Sequence, residues 1–136
     1  MEDAVQRYCA AVESGDMTRL AATLAPDVEL PSPVIGSAVF RGREDVTTLL
    51  TAVYGMLRDA RWEPPVGDAT QRLAIADARV GPMRIGDAMV FELDNEGRIA
   101  RIRPHLRPLL ATIVFFLMIG PRIIRTPGVV LRALRP

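Results

Sequence analysis

FELDNEGRIARIR, residues 91–103, reads as the end of one strand, an acidic turn over 94–97, and a second strand from Ile99 to Arg103. Upstream, Met83, Ile85, Asp87, Met89, Phe91 and Leu93 recur at every second position, so they share one face of a strand. Gly81 and Pro82 make the turn before it. The strand preceding that turn sets Leu73, Ile75, Asp77 and Arg79 on one face and Ala74, Ala76 and Ala78 on the other. These segments form an antiparallel meander.

The first half of the chain has a different period. Val5, Tyr8, Cys9 and Val12 fall at helical spacing within residues 3–14. Ser14, Gly15 and Asp16 end that helix, and Asp16 caps a second one running to about Leu24. Pro26 and Asp27 turn the chain into a strand with Val28, Leu30 and Ser32 on one face, ended by Pro33. The clearest helix carries Val46, Leu49, Leu50, Val53, Met56 and Leu57 on one side. Helices first and a meander second imply an α+β domain with the helices packed on a curved sheet.

Together with QRYCAAVESGDMTRLAATLAPDVEL (6–30), the opening stretch resembles the nuclear transport factor two-like superfamily, which includes SnoaL-like polyketide cyclases, ketosteroid isomerase and limonene epoxide hydrolase. The resemblance covers residues 5 to about 106. It implies a cone-shaped, curved antiparallel sheet with the N-terminal helices on its concave face, a cystatin-like roll enclosing a hydrophobic pocket. The expected division is a SnoaL-like domain over 1–105 and an apolar, arginine-rich extension over 106–136. Function does not follow from this fold, because the superfamily hosts several chemistries and plain binding roles.

Composition excludes several classes. All 17 basic residues are arginine, which removes Schiff-base lysine chemistry and a Walker-type phosphate loop. A single histidine and a single cysteine, Cys9, leave a zinc site without its usual ligands and rule out an internal disulfide. No metal and no cofactor are expected. The acidic start MEDAVQRY has no basic-then-apolar leader, so a cytoplasmic location is expected. Net charge is split, −7 over residues 1–97 and +8 over 98–136, where no acid occurs. Residues 109–120 form an apolar run of twelve, short of the roughly 20 that span a bilayer. Arg107, Arg122 and Arg125 bound the run, which points to a helix over 106–120. Its apolar side has three candidate partners: the domain's own sheet, the other half of a homodimer, or a membrane surface touched peripherally through residues 106–136. No nucleic-acid partner is expected.

Among polar residues, Asp87 stands out because it interrupts a face otherwise made of Met, Ile, Phe and Leu. A carboxyl placed there must find partners or hold its proton, and a neutral carboxyl can donate a hydrogen bond or act as a general acid. The competing reading is a bulge at Gly86 that turns Asp87 to solvent. Tyr8, on the apolar side of the first helix, is a candidate assistant. His105 and Asp77 are candidate proton acceptors, although Asp77 and Arg79 also read as a local ion pair. Ser32, Met89, Phe91, Tyr54, Trp62 and Arg79 are the expected ligand contacts.

The resemblance assigns roles residue by residue. Arg7 and Tyr8 match the isomerase's Arg-Tyr pair, whereas its aspartate base falls on Ser32 and its protonated aspartate on Met89. Isomerase chemistry of that type is therefore expected to be absent. GPMR (81–84) echoes a hairpin of the epoxide hydrolase, and Asp77 matches its strand aspartate. The remaining two roles fall on Ile75 and near Pro104 and His105, leaving Arg79 and Asp87 as substitutes. Three outcomes stay open: acid/base catalysis of isomerase or cyclase type on an apolar small molecule, a rearranged epoxide hydrolase, and a non-catalytic binding or membrane-associated accessory protein.

Overall fold

A computed structural model describes residues 2–136. Helix α1 (Ala4–Ser14) starts at a reciprocal cap, in which the Asp3 carboxylate accepts from the Gln6 N–H and the Gln6 side chain accepts from the Asp3 N–H. It stops at Gly15, whose φ of 74° is left-handed. Asp16 caps α2 (Met17–Ala22), two residues shorter than its apolar pattern suggests because Leu24 already opens strand β1 (Leu24–Pro31). After the short β2 (Val39–Arg41) comes α3 (Arg43–Met56), then β3 (Arg58–Trp62) and β4 (Val66–Gly67). The long hairpin β5 (Gln71–Val80) and β6 (Met83–Leu93) turns at Gly81. Strands β7 (Ile99–Arg103) and β8 (Leu106–Arg107) follow, then α4 (Leu109–Ile124) and α5 (Pro127–Ala133).

The strands form one curved, unclosed sheet in the order β2-β1-β7-β6-β5-β3, with β4 on β5 and β8 on β6. All pairings are antiparallel except β1 with β7. The β5–β6 ladder keeps one register from Gln71↔Glu92 to Val80↔Met83. No bulge occurs at Gly86, so the alternation carries Asp87 to the same face as Ile85 and Met89.

Helices α1 and α3 cover that face. Val5, Tyr8 and Val12 of α1, with Val46, Leu49 and Leu50 of α3, meet Ala74, Ala78, Ile85, Met89 and Phe91 in one core. Each large side chain buried there contributes roughly 1.5–3 kcal/mol. The C-terminal segment joins the same core. Ala111, Phe115, Ile119 and Ile123, four residues apart, form the buried stripe of α4, while α5 buries Val129 and Ala133. Helix α4 starts at Leu109 rather than 106 because Leu106 and Arg107 continue the strand opposite Asp87 and Gly86. Arg132 of α5 forks onto both carboxylate oxygens of Asp45, at 2.7 and 2.8 Å, tying α5 to the start of α3. That fork holds the Asp45 carboxyl below the usual carboxylate range.

Candidate ligand cavity

Between sheet, α3, α4 and α5 lies a cavity of about 270 Å³. Leu30, Ala76, Ala78, Ile85 and Met89 line it from the sheet, Leu49, Leu50, Val53 and Tyr54 from α3, and Phe115, Ile119 and Ile123 from α4. Alanine on β5 leaves the space: larger side chains at 76 and 78, both of which line the cavity, would project into it. Among the lining residues are one carboxyl, Asp87, and no basic side chain.

Asp87 sits opposite Ala76 on one side and Leu106 on the other. The chain from Arg103 to Arg107 runs along β6 in one register, which sets His105 against Ala88. In a regular ladder those two residues would exchange both N–H groups. Here the Ala88 N–H still donates to the His105 carbonyl at 3.0 Å, but the His105 N–H donates to the Asp87 carboxylate at 2.9 Å. The freed Ala88 carbonyl is 3.0 Å from Nδ1 of the His105 ring, and because a carbonyl only accepts, that contact requires the proton on Nδ1. Burial pushes the Asp87 carboxyl up to about 6, against the opposing pull of the His105 N–H and of the imidazole's charge.

A second polar chain approaches from α1 and α3. The Tyr8 and Tyr54 hydroxyls are 2.8 Å apart, and Tyr54 Oη is 3.8 Å from the Met89 sulfur. With Tyr54 donating to the sulfur, Tyr8 donates to Tyr54. Burial raises both phenols well above their ordinary range, Asp87's charge adds to the rise, and each keeps its proton. Ser32 lines the cavity, but its Oγ accepts from the Val34 and Ile35 N–H groups at 3.2 and 3.0 Å. Trp62 also lines it, and its indole N–H is buried without an acceptor among the described residues.

The structure thus gathers Asp87, Tyr54, Ser32, Met89 and Trp62 around one space. It places the other sequence candidates elsewhere. Tyr8 lies one shell behind Tyr54, fully buried, with its ring edge-on to Phe91 at 5.1 Å. Phe91 is likewise sealed in the core and does not line the cavity. Asp77 and Arg79 point with Ile75 to the exposed outer face, since the alanines of β5 take the inner one. They form no ion pair with each other: Asp77 faces Gly86 across the ladder and Arg79 faces Arg84. The His105 ring is exposed, so this residue reaches the site through its main-chain N–H. Sequence reasoning missed the cavity wall supplied by α4 and α5, although the four-residue spacing of Ala111, Phe115, Ile119 and Ile123 carried that signal.

Comparison with known proteins matches this geometry at the level of fold. A family model described as the SnoaL-like domain matches residues 5–102. A solved structure of an uncharacterized protein with a cystatin-like fold from Silicibacter pomeroyi is 20% identical with a TM-score of 0.89, covering 98% of this chain and 95% of that one. A steroid delta-isomerase from Pseudomonas aeruginosa is 20% identical with a TM-score of 0.82, covering 92% of each chain. An LEH-like epoxide hydrolase from M. tuberculosis is 23% identical with a TM-score of 0.60, covering 91% of this chain and 93% of that one. No sequence among the curated proteins matches.

Proposed function

Because the chain belongs to the SnoaL-like domain family, we propose that its cone binds one apolar small molecule and that Asp87 is the group that exchanges a proton with it. The observation that carries this reading is the position of Asp87 as the one carboxyl among the lining residues of an otherwise apolar cavity. A carboxyl that titrates near 6 is present in both forms around neutrality, about a tenth protonated at pH 7. It accepts a proton as carboxylate and returns one as acid, the pairing that isomerisation or cyclisation of a carbonyl compound requires. Tyr54, held by Tyr8, supplies a neutral hydroxyl at the same space.

The epoxide-hydrolase reading has less support. It needs two carboxylates with an arginine between them, and Asp77 and Arg79 face away from the cavity. By the resemblance, the isomerase's own base and donor positions fall on Ser32 and Met89. Any isomerisation here therefore runs through Asp87, from a different point on β6.

The test is exchange of carbon-bound hydrogen for deuterium, followed by NMR, in a panel of apolar ketones incubated with the protein in heavy water. The wild type should exchange at least one ketone. Asp87→Asn should bind that ketone with similar affinity and exchange it roughly 10²-fold more slowly. Binding without exchange in the wild type would point to a carrier. Exchange undiminished in Asp87→Asn would remove Asp87 from the chemistry.

A further inference from the structure

The outer side of α4 is apolar along its whole length. Leu109, Leu110, Ile113, Phe116, Leu117 and Ile124 stand exposed, 76% for Leu109 and 71% for Ile124. They fall on successive turns of one side, opposite the buried stripe at Ala111, Phe115, Ile119 and Ile123. Leu131 and Leu134 of α5 extend the patch. A contiguous apolar surface of this kind marks an interaction site, whereas scattered exposed side chains do not.

The charges around the patch indicate its partner. No charged residue lies between Pro108 and Pro121. Arg122, Arg125 and Arg135 are exposed along its C-terminal part, and none of them is in an ion pair among the described residues, whereas Arg107 lies over Gly86 beside Asp77 on the outer face of the sheet. Asp45, at the start of α3 where α5 packs, is occupied by Arg132. Two copies meeting patch to patch would set these arginines against one another with no acid after Glu96 to answer them. A head-to-tail copy would offer the acidic half, whose exposed large apolar side chains are Val34, Ile35, Val66 and Ile75, too few and too scattered to cover two helices.

We propose that the α4–α5 face docks on the surface of an anionic bilayer, its leucines and isoleucines at the acyl boundary and its arginines among the headgroups. Among the described residues no single helix is long and apolar enough to cross a membrane; α4 and α5 reach that length and apolarity only as a pair bent by 117°, and both pack one side on the domain, which favours a surface placement over a span. The cavity opens at this same face: Val34, Ile35, Phe116, Ile124 and Leu134 both line it and stand exposed. A lipophilic ligand dissolved in the bilayer would enter the cone without crossing water. The docking stands apart from the role of Asp87 and is tested separately.

The test is flotation of the full chain with vesicles of phosphatidylcholine alone or with about one-third phosphatidylglycerol, alongside its solution mass. The expected result is at least about tenfold stronger association with the anionic vesicles, weakened when salt is raised to about 0.5 M. Leu117→Glu and the double variant Arg122→Glu/Arg125→Glu should each reduce it about tenfold while thermal unfolding stays unchanged. Association with neither vesicle, or association indifferent to Leu117→Glu, would overturn the proposal. So would a dimer in solution that Leu117→Glu splits, since that would make the face an interface between copies.

Discussion

At the scale of single residues the account turns on Asp87. Its carboxyl holds a proton up to about 6 in the folded chain and to ~3.9 when unfolded. Between those values the folded state binds more protons, so stability falls as pH rises through that window and levels off above it. Asp87→Asn keeps an acceptor for the His105 N–H and cannot ionise. Urea unfolding between pH 4 and 7 should show this slope in the wild type and its loss in Asp87→Asn. At pH 7 the variant should be the more stable by on the order of 1–2 kcal/mol, after allowing for solvent screening of a half-buried group. A less stable variant at pH 7 would mean that the ionised carboxylate is favoured in the fold. His105→Ala leaves the main-chain donor in place, so deuterium exchange should persist in that variant; abolition would give the imidazole the direct role that its exposed position argues against. Asp87 was legible in the sequence because period two on β6 is unbroken. His105 was legible as a residue but not in its role, since a main-chain N–H leaves no mark in a sequence.

At the scale of elements, long periodic segments were readable and short ones were not. Helices α1 and α3 and the β5–β6 hairpin follow their hydrophobic patterns closely. Strands of two or three residues, such as β2, β4 and β8, are too short to display a period and exist because a neighbour offers them a ladder. The alternation on β5 separated Asp77 and Arg79 from the alanines correctly. It could not say which face turns inward, and the cavity takes the small side chains. For α4, the buried and exposed stripes make opposite predictions under substitution. Phe115→Ala should destabilise by about 3 kcal/mol or more, because it opens a hole in the core. Leu117→Ala, at 67% exposure, should change stability by no more than about 0.5 kcal/mol. Chemical denaturation of the two variants checks both, and equal effects would mean that α4 does not pack by this stripe.

At the scale of the whole molecule, site and surface depend on the same two helices. Without α4 and α5 the cone would lack the wall built by Phe115, Ile119 and Ile123, and Asp87 would face water rather than apolar side chains. The raised affinity of Asp87 for its proton is therefore a property of the assembled chain: the sheet sets its direction, the His105 N–H fixes its geometry, and the C-terminal helices surround it with apolar side chains. Carboxyl-carbon NMR titration of Asp87 in the full-length protein tests this most directly. The account predicts a midpoint near 6, moving higher when an apolar ligand occupies the cavity and displaces water. A midpoint near ~3.9, unmoved by ligand, would contradict it.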